Sequence, residues 1–144
     1  MFKKICIIGC GLIGSSLARA IKKNNLAEKI VSSNRSEAVN KKVLELQIVN
    51  ESSSDTKEMV KDSDLVIIAT PLSSYEDVIL KIRDCLKNGV ILTDVGSVKE
   101  HILNLVEKSR VDAVAMADVL HYKKLTVQQI RSFSIQKGLN VRKF

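Results

Sequence analysis

At 144 residues, with 45% hydrophobic and 27% charged side chains, the chain has the composition of one soluble globular domain. No apolar run approaches a membrane span, and the stretch after Met1-Phe2-Lys3-Lys4 stops at Gly9, so neither a transmembrane helix nor a signal peptide is expected. The net charge of +7 gathers in residues 110–144, with seven basic against two acidic residues, and two Tyr, three Phe and no Trp offer little for bases to stack on, which argues against nucleic acid as a partner.

In chain order, Lys4-Ile5-Cys6-Ile7-Ile8 reads as a buried strand ended by glycine. A helix follows, with Leu12, Ile13, Ser16, Leu17, Ala20 and Ile21 at helical spacing. Lys29-Ile30-Val31-Ser32-Ser33 is a second strand, and Val39, Val43, Leu44 and Leu46 mark a second helix. A weak third strand is expected near Ile48-Val49, before Asp55 and Glu58 form a capping box for a short helix through Val60. Leu65-Val66-Ile67-Ile68-Ala69 is uniformly apolar, as a strand covered on both faces is. Ser73 with Glu76 opens the next helix, whose apolar side carries Val78, Ile79, Ile82, Cys85 and Leu86. Val90-Ile91-Leu92-Thr93 is a further strand, and Ser97 with Glu100 caps a helix on Ile102, Leu103 and Val106. Strand alternating with helix predicts an α/β fold with a parallel sheet and right-handed crossovers. After Ser109 the rhythm fails: Val111 to Val119 is apolar without Gly or Pro punctuation, and Lys123 to Phe144 is polar and basic. The expected organisation is a domain over 1–109 and an atypical C-terminal tail over 110–144.

The residues that carry chemistry lie at strand ends. Gly9-Cys10-Gly11-Leu12-Ile13-Gly14 is a GxGxxG between an apolar strand and an amphipathic helix, which predicts a Rossmann-type, doubly wound sheet that binds a dinucleotide. Gly9 permits the tight turn, Gly11 lets backbone approach a diphosphate, and Gly14 lets helix and strand pack closely. The N–H groups that open the helix, around Leu12 and Ile13, then face the phosphates. The second strand ends in Ser32-Ser33-Asn34-Arg35-Ser36, with no carboxylate where NAD enzymes place one. Asn34 repels no 2′-phosphate, Arg35 can pair with one, and Ser36 adds a hydroxyl, so NADP is favoured with NAD as the alternative. The blander reading makes Ser36 a helix cap and leaves Arg35 solvated. Thr70-Pro71 and Asp94-Val95-Gly96-Ser97 end two later strands at the same sheet edge, on the nicotinamide side. His101 falls on the polar side of its helix, and His121 has no partner that spacing identifies. Cys6, Cys10 and Cys85 share no metal-type spacing, so no metal is expected and a reducing cytoplasm is the natural compartment.

Taken together, the GxGLIG loop, Asn-Arg-Ser, Ala69-Thr70-Pro71 and Asp94-Val95-Gly96-Ser97-Val98-Lys99 resemble the N-terminal domain of the prephenate dehydrogenase family, including arogenate and cyclohexadienyl dehydrogenases. The likeness covers residues 2 to about 109. It implies oxidative decarboxylation of prephenate or arogenate, on the route to tyrosine, with hydride passing to NAD(P). It also puts Ser97 on the substrate side of the site. Asn34 stands where the family uses Asp. The family continues into a Gly-His-Pro segment, whose histidine bonds the substrate ring hydroxyl, and then a helical dimerisation domain. Residues 110–144 match neither, so the resemblance implies a truncated or frame-shifted enzyme with cofactor affinity and negligible turnover. Ile130-Arg131-Ser132-Phe133 can be encoded so that the next reading frame gives the family's Ser-Gly-Pro, consistent with a frameshift near Ser109. A β-hydroxyacid dehydrogenase or pyrroline-5-carboxylate reductase-like NADP domain shares the fingerprint. A non-catalytic nucleotide-binding regulatory module, with the basic tail as its interaction segment, is the alternative of another class.

Overall fold

Ile5, Cys6, Ile7 and Ile8 are all buried, and the described fold is laid out around the strand that carries them. The structure, a computed structural model, describes residues 1–96 and 126–136. The chain divides into two units, Met1–Gly96 and Ser97–Phe144. The expected boundary at 109/110, the apolar stretch over 111–119 and the helix on Ile102, Leu103 and Val106 lie outside the described residues.

The first unit runs β1 (Phe2–Ile8), α1 (Leu12–Lys23), β2 (Ala27–Ser33), α2 (Glu37–Glu45), β3 (Glu51–Ser53), α3 (Thr56–Val60), β4 (Leu65–Ile68), α4 (Tyr75–Ile82) and β5 (Ile91–Asp94). Its five strands are all parallel, in the order β3-β2-β1-β4-β5. Cys6 pairs in register with Val31 on one side and Val66 on the other. On one face Ile5, Ile7, Ile30 and Ile67 pack with Ala18 and Ile21 of α1 and Val43 of α2. Strand alternation turns Cys6, Ile8, Val66 and Ile68 to the opposite face, where α3 meets β1 and β2 and α4 meets α3. This is the α/β doubly wound arrangement that the alternating sequence predicts.

Local details depart from the sequence reading for physical reasons. Spacing alone puts the apolar stripe of α1 on Leu12, Ile13, Ser16, Leu17, Ala20 and Ile21. Of these, Ile21 is buried and Leu17 packs against the core, but the helix also buries Gly14 and Ala18, while Leu12 is 89% and Ile13 55% exposed. Gly14 and Ala18, by being small, let α1 come down onto the sheet beside Leu17 and Ile21. The third strand is Glu51–Ser53, not Ile48-Val49. Gln47 turns through φ 51°, which drops Ile48 and Val49 into the core before the strand begins. Asn50 then locks the entry: its N–H donates to Ile30 O at 2.7 Å and its Oδ1 accepts from Ile30 N–H at 2.8 Å. Asp55 does cap α3, accepting from Glu58 N–H at 3.2 Å, but the Glu58 carboxylate turns to Lys61 at 2.6 Å and leaves the box half made. Ser73 does not cap α4. A single 3₁₀ turn over Leu72–Ser74 follows Pro71, whose carbonyl accepts from Ser74 N–H at 2.9 Å, and α4 starts only at Tyr75. It ends at Ile82, and a second 3₁₀ turn takes Arg83–Cys85.

In the second unit, α5 spans Val127–Gln136 within a stretch whose periodicity is weak. Its start is a reciprocal capping box: Thr126 Oγ1 accepts from Gln129 N–H at 3.2 Å, and Gln129 Oε1 accepts from Thr126 N–H at 2.8 Å.

Asp64 ties three strands of the first unit together. Its carboxylate accepts from Lys3 N–H at 2.5 Å and Lys4 N–H at 3.3 Å and pairs with Lys87, while its carbonyl accepts from Ile91 N–H at 2.9 Å. The Lys87 ammonium, then the two backbone donors, hold its pKa down at about 2. A folded-state pKa below the unfolded value means that Asp64 stabilises the fold above about pH 4 and ceases to as pH falls towards 2. Asp64→Asn is therefore expected to flatten the acid limb of a pH-dependent urea titration between pH 4 and 2, and an unchanged limb would exclude this role.

Candidate functional site

The carboxyl ends of β1, β2 and β4 open onto a cleft of about 540 Å³. This is the topological switch point of the sheet, where β1 sends its connection to β2 on one side while β4 lies on the other. Gly9 and Gly11, Asn34, Arg35 and Ser36, and Thr70 and Pro71 line it together, along with Thr56 of α3 and Asp77, Val78 and Lys81 of α4.

Two glycines in the first loop are required by shape. Gly9 has φ +93°, and a Cβ there would stand 2.8 Å from Ala69 O. At Gly14 a Cβ would stand 2.2 Å from Gly9 O, so α1 crosses the loop at backbone contact. Gly11 differs: a Cβ there would meet nothing within 4 Å, because this side of the loop faces open space. Gly11 is also the N-cap of α1 and offers no side-chain cap, so the N–H groups that open the helix have no side-chain acceptor from it. Leu12 and Ile13 carry two of those N–H groups and turn their side chains outward.

Asn34, 7% exposed, sits at the centre of a polar network beneath this loop. Its Oδ1 accepts from Cys10 N–H at 2.5 Å. Its Nδ2 donates to Asn40 Oδ1 at 2.9 Å and lies 3.2 Å from both Ser32 Oγ and Ser52 Oγ. Asn40, buried in α2, returns a bond from its Nδ2 to Asn34 O at 3.2 Å and another to Glu37. Arg35 and Ser36, by contrast, are exposed on the cleft rim. Among the described residues Arg35 makes no ion pair. Ser36 occupies the N-cap position of α2 without a side-chain capping bond, so its hydroxyl is not taken by the helix. On the other wall Lys81 reaches Thr56 Oγ1 at 3.5 Å, and Thr56 Oγ1 lies 3.0 Å from Ser33 Oγ.

Among the described residues Thr70 Oγ1 has no hydrogen-bond partner, and it is shut from water at the cleft edge. Burial pushes the Cys10 thiol up, against a smaller opposing effect of the Ser32 bond, and pushes Cys6 up to about 12, so both stay protonated at neutral pH.

Sequence reasoning does not single out Tyr75 or Lys81 for the site. Tyr75 is buried, and its hydroxyl lies 3.2 Å from Asp94 Oδ1, which also accepts from Gly96 N–H at 2.7 Å. Burial first, then the Asp94 charge, raises its pKa to about 12. This contact ties the start of α4 to the turn after β5. An aromatic residue just ahead of an apolar stripe is the available signal. Ser97 and both histidines, His101 and His121, lie outside the described residues. Among the described residues no group of His, Cys, Asp or Glu can hold a metal, and no helix is long and apolar enough to cross a membrane.

Comparison with known proteins agrees with this geometry. Residues 17–117 match the family model described as prephenate dehydrogenase, nucleotide-binding domain. The chain is 36% identical over 107 residues to a prephenate dehydrogenase of Lactococcus lactis, covering 74% of this chain and 30% of that protein. It is 34% identical over 107 residues to a cyclohexadienyl dehydrogenase of Zymomonas mobilis, covering 74% and 36%. The crystal structure of Synechocystis arogenate dehydrogenase superposes with a TM-score of 0.66 at 26% identity, over 73% of this chain and 37% of that one. The chain thus spans about a third of the length of these relatives. A loop that demands glycine at Gly9 and Gly14, a cleft at the switch point of a parallel sheet and a family model across 17–117 lead to one assignment: the chain belongs to the prephenate dehydrogenase family, through its nucleotide-binding domain.

Proposed function

We propose that the cleft binds NADP in preference to NAD, as the cofactor-binding part of a dehydrogenase that oxidatively decarboxylates prephenate or arogenate. The observation that carries the cofactor choice is the rim at the end of β2. There Arg35, without an ion pair among the described residues, and Ser36, without a capping bond, follow Asn34, the position where a carboxylate would select against a 2′-phosphate. Lys81 adds a second positive charge on the facing wall.

The residues fit a dinucleotide in three further respects. Gly11 leaves room for a diphosphate, the uncapped start of α1 at Leu12 and Ile13 presents N–H groups to it, and Thr70 Oγ1 is an unsatisfied donor at the nicotinamide side, next to Pro71. The bound nicotinamide would supply the hydride acceptor. The chain's own groups hold and orient it, and the uncharged Asn34 leaves the ribose end free of a repelling carboxylate. Ser97 belongs to the substrate side in this reading. Family membership supports prephenate or arogenate as the substrate class, and parts of the enzyme beyond this cleft would complete the substrate pocket. Binding without appreciable turnover is the behaviour expected of the 144-residue chain.

Calorimetric titration with NADP and NAD tests this. Saturable binding is expected, tighter for NADP, and Arg35→Ala should weaken NADP by about tenfold or more while leaving NAD nearly unchanged. Tighter NAD in the unmodified chain would overturn the cofactor choice, and binding of neither would overturn the reading of the cleft.

A further inference from the structure

Asn34 occupies the position from which dinucleotide folds usually read the ribose, yet its side chain faces into the protein. It is buried, and three protein oxygens surround its Nδ2: Asn40 Oδ1 at 2.9 Å, Ser32 Oγ at 3.2 Å and Ser52 Oγ at 3.2 Å. A carboxamide has two hydrogens, so it has no donor left to offer a phosphate. Its oxygen accepts the N–H of Cys10, the residue between the two glycines that shape the diphosphate loop.

We infer that Asn34 is a positioning residue: it fixes the diphosphate loop through Cys10 and serves NAD and NADP alike, leaving discrimination between them to Arg35 and Ser36. This rests on the cofactor reading above and deepens it. The network has a polarity. Position 34 must accept on the Cys10 side and donate on the Asn40 side, because Asn40 Oδ1 also accepts from Ser52 Oγ at 2.7 Å and is held as an acceptor. An amide meets both demands. An ionised carboxylate meets only the first and would face an acceptor 2.9 Å away. A protonated carboxyl meets both, accepting with one oxygen and donating with the other.

That difference supplies the test. Asn34→Asp is the substitution that would restore an acid at the end of β2, and a ribose-reading role predicts that it shifts preference towards NAD. The positioning role predicts instead that at pH 8 it weakens both cofactors by a similar factor, about tenfold or more, and that both recover towards about pH 5.5 as the introduced carboxyl takes up a proton. The other ionisable groups around the network are Cys10 on the loop, Arg35 beside it, Glu37 on α2, and Lys81 beyond Thr56. All are present in the unmodified chain, whose titration at the two pH values is the control. Asn34→Ser keeps the site neutral but cannot span to Cys10, so it should weaken both cofactors with no recovery at acid pH. Circular dichroism of each variant at each pH checks folding. Should Asn34→Asp be unfolded at pH 8, the serine variant decides.

Tighter NAD in Asn34→Asp, or unchanged affinity in Asn34→Ser, would overturn the inference while leaving the cofactor reading intact. Absence of binding in the unmodified chain would overturn both.

Discussion

Gly14→Ala is expected to destabilise the Met1–Gly96 unit by about 3 kcal/mol or more and to remove cofactor binding with it. The added methyl would stand 2.2 Å from Gly9 O and 3.1 Å from Gly9 C, and the third neighbour, Ile7 Cγ2, is at 3.3 Å. The first two are backbone atoms, so no side-chain rotation relieves the clash. Gly9 cannot retreat, because its N–H donates to Ser33 O at 2.9 Å and its far side meets Ala69. Either α1 lifts off the sheet, exposing Ala18 and Ile21, or the loop changes shape. Gly11→Ala is the matched control: nothing lies within 4 Å of its Cβ position, so stability should hold while cofactor affinity falls. Urea denaturation and calorimetry of both variants separate the effects. A Gly14→Ala protein of unchanged midpoint and affinity would refute the close packing assigned to this crossing.

Asn40→Leu should cost about 2–4 kcal/mol, more than an apolar replacement of similar volume usually does in a core. Asn40 is 2% exposed, and its side chain bonds Asn34, Ser52 and Glu37. Leucine would leave the Asn34 carbonyl and one Asn34 donor, both on a buried residue, and the half-buried Ser52 hydroxyl without their partner from α2. Ser32 and Ser52 still offer oxygens to Asn34, which keeps the expected loss below complete unfolding. The denaturation midpoint should fall without a change in slope, since the compactness of neither state is altered. A midpoint within error of the unmodified chain would mean that the network carries little of the stability.

What can be read in advance divides along the range of the interactions. β1 and β4 are legible because a strand buried on both faces leaves an unbroken apolar run, and the GxGxxG ahead of a helix marks where the cleft opens. The face of α1 is legible only in part: periodicity finds Leu17 and Ile21, but it counts large apolar residues, whereas Gly14 and Ala18 make the contact by being small. The third strand is misplaced by a sequence reading because Ile48 and Val49 are apolar for the core's sake, while Glu51–Ser53 is an edge strand of polar residues held by register with Val31–Ser33. The role of Asn34 is hidden for another reason. Its partners Cys10 and Ser52 stand 24 and 18 positions away, and no local pattern connects them.

The order β3-β2-β1-β4-β5 also has a consequence during synthesis of the chain. β1 leaves the ribosome before the other four strands and lies at the middle of the sheet, yet its pairing of Ile5 with Leu65 waits for 60 further residues. Translation at roughly 5–20 residues per second leaves that edge open for about 3–12 s, with Ile5 to Ile8 on a strand that has one neighbour. β2 can close the other edge early, across one short helix. Until β4 is made, the only pairing open to β1 is with β2 across the glycine loop, and the cleft is complete only when Thr70 and Pro71 follow β4 into place.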